Sequence, residues 1–361
     1  MFGDPLLSVR AALTSTSNTT GGDARTGIGG VEIQKVIDRL ITDDINRGVD
    51  LRPLIARKPM DQLSFVWNIR ADLGSSDKSQ FYSDGAGGTP QPSTQIQYFA
   101  VAKALRADYA VTGLMIAGST SFYNALEEEA RDALSQMTLS EEKAFISGAN
   151  TSANGISGAY DGLQDLMGSN ATFSDTDTVY GIARTGARDE LDVSLVAAGA
   201  TTTDALDLKD MDECVRLSDD AGAKGNRRIF FCSTARGFNI NQLLQPQGRF
   251  VIGAGSLELE GGTKVTTYLG FPIVTSRIMD KSGVTFNGGK TESDADNAMY
   301  FLDLDNIEFR VLAGVDNMHV PIKGNDTSIR KDEEGGYFKT YGVLVMRRFR
   351  TQVLIYNLAA P

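Results

Sequence analysis

Two alternating apolar runs, held apart by more than twenty polar residues, constrain this chain more than any other feature. In Leu63–Leu73 (LSFVWNIRADL) Phe65, Trp67 and Ile69 face one way. In Gln95–Ala104 (QIQYFAVAKA) Ile96, Tyr98 and Ala100 do the same. A period of two is the pattern of a half-buried strand. Between the runs lies GSSDKSQFYSDGAGGTPQPST, polar and broken by glycine and proline. Compact domains seldom keep so long a connection without a use for it. The two runs predict a long hairpin with a polar tip. It has too little apolar surface for a core of its own, so it is expected to rest on another chain.

Around this hairpin the pattern changes several times. Residues 1–30 are rich in Ser, Thr, Gly and Asn and read as an extended arm. Ile33, Val36, Ile37, Leu40, Ile41 and Ile45 then recur at helical spacing, and Gly48 ends that amphipathic helix. Ser119–Ser147 predicts a long helix, with Thr138 and Glu141 spaced as a capping box where a second segment restarts. Its acidic face, which includes Glu127 and Glu128, is either solvated or set against a basic surface of a neighbouring subunit. Farther on, Asp204 is placed to cap a helix carrying Leu208, Met211, Val215 and Leu217. A strand is expected at 227–234, a short helix at 235–244 and a strand at 269–279. The stretch 298–314 holds two extended runs broken at Asp303–Asn306, 323–336 is a polar loop, and 337–359 is a strand-dominated tail. This order is α+β and fits neither a doubly wound sheet nor a closed barrel.

The chemistry of the chain excludes more than it suggests. The formal net charge is −11. Proteins that grip phosphates are usually basic, because counterion release drives that binding. An acidic balance suits solubility, or a container that must not adhere to a polyanionic cargo. No run approaches the ~20 apolar residues of a membrane span, and no secretory signal opens the chain. Cys214 and Cys232 read as small core hydrophobes of a cytosolic protein. Gly27–Gly30 lacks the strand, spacing and lysine of a phosphate loop. The lone His319 stands next to Val320-Pro321 without neighbouring ligands, and reads as a strand-end or loop residue. No nucleophile elbow, zinc helix or Walker loop occurs. We therefore assign no catalytic, cofactor-binding or metal-binding residue. Arg347, Arg348 and Arg350 lie inside the apolar run VLVMRRFRTQVLIY. Alternation puts Arg348 and Arg350 on one face, and Arg347 with Phe349 on the other. Ion pairing within or between subunits is favoured there over contact with DNA, since buried guanidinia are costly alone.

The order arm, helix, hairpin, long helix, mixed α+β region and closing strands resembles the major capsid proteins of tailed bacteriophages, whose fold encapsulins share. FNINQLLQPQGRF (Phe238–Phe250) is similar to that family's short helix followed by a Gly-Arg turn, and LGFPIVTSRIM to its strand of small residue, glycine, proline and valine. YFLDLDNIEF resembles the place where an aromatic strand meets an Asp-Leu turn, and GVLVMRRFRTQVLIYNLA the closing strands. The resemblance spans nearly the whole chain. It implies an N-terminal arm with its helix at 1–50, an extended hairpin loop at 51–115 and the spine helix of a peripheral domain at 116–160. A mainly axial domain at 161–300 and returning strands at 301–361 complete it.

It further implies a non-enzymatic subunit that assembles into hexamers and pentamers of an icosahedral shell enclosing double-stranded DNA. Assembly would take place in the host bacterial cytoplasm, with no membrane involved. The implied partners are other copies of the chain, a scaffolding protein, a portal, packaged DNA held by weak non-specific contact, and a decoration protein. Many relatives begin with a long scaffolding segment, whereas Met1 leads almost directly into the arm. This predicts a separate scaffolding protein, or numbering that starts after a cleavage. A few relatives cross-link a loop lysine to an asparagine; Lys78 and Asn325 match that pattern poorly, so no cross-link is expected. Phe65, Trp67, Ile69, Ile96, Tyr98, Glu127, Glu128, Arg347, Arg348 and Arg350 are the candidate inter-subunit contacts. The competing readings are an encapsulin shell and an unrelated soluble enzyme or ligand-binding protein; the hairpin tip and long arm favour the phage capsid.

Overall fold

The computed structural model describes residues 49–72, 84, 93–119, 124–149, 156–167, 178–180, 182–183, 191–198, 205–225, 227–248, 257–259, 263–265, 267–279, 298–323, 332–356 and 358. The arm, the helix expected at 31–47, nearly all of the hairpin tip, Lys78 and Asn325 lie outside these residues.

In chain order, β1 (Ala56–Met60) precedes the hairpin strands β2 (Ser64–Asp72) and β3 (Thr94–Val101). After a break at Ala102 come β4 (Lys103–Thr112), the short helix α1 (Gly113–Ser119) and the 23-residue helix α2 (Ala125–Ser147). There follow β5 (Gly148–Ala149), β6 (Ile156–Ser157), α3 (Leu163–Met167), β7 (Thr178–Val179), β8 (Ile182–Ala183) and β9 (Ser194–Ala197). Next stand α4 (Leu208–Asp220), β10 (Arg228–Ser233), α5 (Thr234–Gly248), β11 (Leu257–Leu259) and β12 (Thr263–Val265). The chain continues through β13 (Thr267–Tyr268), β14 (Phe271–Ser276), β15 (Met299–Asp303), β16 (Ile307–Leu312), β17 (Met318–Lys323), β18 (Glu333–Met346) and β19 (Val353–Tyr356).

Two larger sheets organise these elements. In the first, the long β18 carries β4 along one edge, from Glu333↔Thr112 to Gly342↔Lys103. Its other edge carries β17 and then β16, and β1 joins β16 in parallel. In the second the order is β13-β14-β10-β15-β19-β9. The centre of that second sheet is buried on both faces, so its inner strands are near-continuous apolar runs (RIFFCS, MYFLD, VLIY) rather than alternating. Phe231, Tyr300, Leu302 and Leu354 join the larger core, shared with α2, the hairpin and the first sheet. Phe230, Cys232, Phe301, Val353 and Ile355 face the other way, onto Met211 and Cys214 of α4 and Ile240 of α5. Both thiols are buried and no disulfide joins them.

The chain crosses between the sheets at two short turns. The break at residues 304–306 passes it from β15 in the second sheet to β16 in the first, and residues 347–352 return it from β18 to β19. Gln352 ties the crossings together: its Nε2 donates to the Asp303 carbonyl at 3.1 Å, and its Oε1 accepts from the Asp303 amide at 2.7 Å.

Several expectations need correction. α2 runs unbroken through Thr138, whose hydroxyl donates to the Ser135 carbonyl, because Glu141 is engaged elsewhere. Asp207, not Asp204, caps α4, in a capping box with Asp210. β18 starts at Glu333, inside the expected polar loop, because β4 and β17 bracket Glu334–Gly336 from both edges. His319 is the second residue of β17, at the N-terminal end of that strand. Its ring stacks on Tyr109 and lies tilted against Phe338, and Nε2 lies 2.6 Å from the Tyr109 hydroxyl. Gly336 makes this possible, since a Cβ there would come within 3.0 Å of that hydroxyl.

Candidate assembly surfaces

β2 and β3 pair antiparallel, with Phe65↔Ala100, Val66↔Phe99, Trp67↔Tyr98 and Ile69↔Ile96 in register. Alternation therefore sorts the hairpin base into one wholly apolar face and one mixed face. One holds Phe65, Trp67, Ile69, Ile96 and Tyr98, and it packs into this chain's own core. Trp67 and Tyr98 are 8% and 0% exposed, and the Trp67 ring meets Tyr180 edge-on at 5.0 Å. Phe65, Ile69 and Ile96 pack against the same core while partly buried. The expectation that this face lacks a core within its own chain is thus overturned for Trp67 and Tyr98. The larger aromatic rings gain most from burial, and they take the inner side. The opposite face is open: Val66, Phe99 and Val101 expose 47%, 49% and 47% of their surface. The outer face mixes Val66, Phe99 and Val101 with Asn68, Arg70, Gln95 and Gln97, so alternation marked the inward face; it gave no signal that this face packs on the chain's own core.

Phe65 also anchors the hairpin to a charged centre. The guanidinium carbons of Arg310 and Arg347 lie 4.3 Å and 5.7 Å from its ring centre. Glu308 receives both arginines and Lys58, at 2.7 Å, 2.6 Å and 2.7 Å. Burial pushes the Glu308 carboxyl up, but the hydrogen bonds from Lys58, Arg347 and Arg310 outweigh it and hold the group below its ordinary range. Arg347 is accordingly an ion-pairing residue within the subunit. Arg348 donates to the carbonyls of Ala221 and Gly222 at the end of α4. Arg350 is exposed, and its carbonyl accepts from the Ser194 hydroxyl at 3.0 Å. β18 ends at Met346, so the alternation expected through Arg347–Arg350 does not arise. Phe349 is instead buried in the turn.

The acidic face of α2 divides by position. Glu127 and Glu128 pair with Arg131 on the same helix, at 3.5 Å and 3.1 Å. Glu141 and Glu142 are buried, and the basic surface they meet belongs to this chain. Glu142 accepts the backbone N–H groups of Asp50, Leu51 and Arg52 at 3.3, 2.7 and 2.7 Å. Glu141 pairs with Arg52 and, at 3.0 Å, with Arg57, which reaches on to Asp316 at 2.6 Å. Burial raises the Glu142 carboxyl despite these three donors, with repulsion from Asp50 adding to it. This clamp holds Asp50–Arg52 against α2.

The structure thus offers a hairpin sealed on one side and open on the other. Comparison with known proteins agrees with a self-assembling subunit. No curated protein matches the chain by sequence. Among solved structures it is similar to the capsid of a native GTA particle, with 15% identity and a TM-score of 0.65, over 94% of this chain and 100% of that one. It is similar to the capsid of cyanophage A-1(L), with 15% identity and a TM-score of 0.66, over 90% and 97%. The SrpI encapsulin of Synechococcus elongatus PCC 7942 follows at 13% identity and 0.55, over 89% and 92%. These likenesses establish the fold. The SU10 major capsid protein profile matches residues 75–337, most of the chain. The chain belongs to the SU10 major capsid protein family and is a structural, non-enzymatic subunit of a virion shell.

Proposed function

We propose that copies of this chain form hexamers and pentamers that close around double-stranded DNA, and that the open face of the hairpin base is where a neighbouring copy seats. In this reading the first sheet with α2 is the peripheral domain, and the second sheet with α4 and α5 the axial one. The observation carrying the proposal is the contrast between the two hairpin faces. An isolated two-stranded ribbon with one face sealed has no reason to keep Val66, Phe99 and Val101 in water unless a partner covers them. Covering a large apolar side chain contributes roughly 1.5–3 kcal/mol, repeated at every subunit of a shell. A separate scaffolding protein and a portal complete assembly in the host cytoplasm, with decoration protein added outside. DNA contact is weak, because a net charge of −11 per subunit opposes it.

The test replaces Val66 and Phe99 together by serine. Circular dichroism should match the parent, because neither side chain is in the core, while electron microscopy should show few or no closed shells. Normal shells from a normally folded double variant would overturn the proposal.

A further inference from the structure

We infer that Lys58 and Arg347 together hold a carboxylate of a second copy at the rim of the hairpin base. The inference rests on the seating of a neighbour proposed above, and it adds the polar chemistry of that contact. Its ground is a local surplus of positive charge. Lys58, Arg310 and Arg347 converge on the single carboxylate of Glu308, and no second carboxylate pairs with any of them among the described residues. Three positive charges thus face one negative charge, in a chain whose overall balance of −11 has the opposite sign. Glu308 has no capacity left to answer them. Its Oε1 accepts from Nε of Arg310 at 2.8 Å and of Arg347 at 2.9 Å, and an Nη2 of each lies at 2.7 Å and 2.6 Å. Its Oε2 accepts from Lys58 Nζ at 2.7 Å. An ionised carboxylate offers about four lone-pair sites, so this one is saturated.

The cations, by contrast, keep donors in hand. Lys58 uses only part of its ammonium on Glu308, and Arg347 engages Nε and Nη2 but leaves Nη1 without an acceptor among the described residues. Arg310 instead turns Nη1 to the Pro59 carbonyl at 3.3 Å. Exposure follows the same division: the side chains of Lys58 and Arg347 are 49% and 41% exposed, that of Arg310 14%. The Phe65 ring roofs both guanidinia, and the next residue on its strand, Val66, belongs to the open face. The unengaged donors therefore stand at the margin of the apolar patch, where the polar rim of an interface belongs. A carboxylate there would meet charge-assisted hydrogen bonds from an ammonium and from the planar fork of a guanidinium. With 46 acidic against 35 basic residues, a neighbouring copy presents carboxylates in excess. A DNA phosphate has a suitable charge too, but the net charge of each subunit opposes its approach.

The experiment mixes subunits grown on light and on heavy nitrogen, assembles them into shells without DNA, and treats shells and dispersed subunits with a carbodiimide. This reagent joins a lysine to a carboxylate only where the two already touch. Mass spectrometry of the digested shells should find the Lys58 peptide joined to an acidic peptide of the other isotope, and dispersed subunits should lack that product. The same digest identifies the acid. Acetylation should agree: Lys58 reacts in dispersed subunits and loses that reactivity in DNA-free shells. Shells in which Lys58 forms no link between copies and acetylates as readily as in dispersed subunits overturn the inference. So does protection of Lys58 that arises only once DNA fills the particle, which would assign the donors to phosphate. Either result leaves the seating on Val66 and Phe99 standing, since the double serine variant tests that separately.

Discussion

Glu308 gathers Lys58, Arg310 and Arg347, three cations with no other carboxylate as close among the described residues. Removing the shared anion leaves them repelling one another beside a buried wall. Glu308→Gln should cost roughly 3 kcal/mol of subunit stability. The pH dependence follows from the sign of the shift. The carboxyl is held below its ordinary value of 4.5, so its contribution is complete above that value and is lost as pH falls through the lowered value. Denaturant midpoints of parent and variant should therefore differ most at neutral pH and converge in acid. Glu142 is a second residue whose loss is felt locally. Glu142→Ala deprives three backbone N–H groups of their acceptor and should lower stability by about 2 kcal/mol in the same assay. Neither role was legible in the sequence. Glu141 and Glu142 look like continuations of a solvated acidic face. Their partners stand about ninety positions earlier in the chain, where no local pattern records the meeting.

The hairpin shows what a period of two can and cannot tell. Alternation located both strands and the polar segment between them, because half-burial imposes that period on any sequence. It also ranked the two faces, since Asn68, Arg70, Gln95 and Gln97 interrupt the outer one, but it could not say that the inner face meets this chain's own core. Variants separate the faces. Trp67→Ala should remove about 3–5 kcal/mol from the folded subunit, read as a lowered melting temperature. The surface change described for Val66 and Phe99 should leave that temperature unchanged. Replacing residues 74–94 with an Asn-Gly turn should likewise preserve the circular dichroism of the subunit. Shell yield by electron microscopy should fall, and an unfolded product would place the tip in the core instead. The second sheet was legible for another reason: strands covered on both faces become continuous apolar runs, which RRIFFCST and AMYFLDLD plainly are. That consecutive runs at 299–303 and 307–312 go to different sheets was not legible, because a short turn looks the same whether a strand folds back or departs.

At the level of the whole molecule, the acidic balance sets the behaviour of the assembled particle. Its affinity for DNA should be weak, independent of sequence and steeply reduced by salt, as measured by filter binding across a salt series. Mature particles should run as a single monomer band in a denaturing gel, since neither Lys78 nor Asn325 matches a cross-linking pair closely; a ladder of multimers would refute this. The double crossing between the sheets bears on where such a particle can give way. Residues 304–306 and 347–352 both join the sheets, Gln352 bonds one crossing to the other, and Phe231, Tyr300 and Leu302 of the second sheet share one core with Phe309 and Leu344 of the first. Parting the sheets would open that core. A change in local curvature of the shell is therefore expected to fall at the seams between subunits, each subunit moving as a single tile.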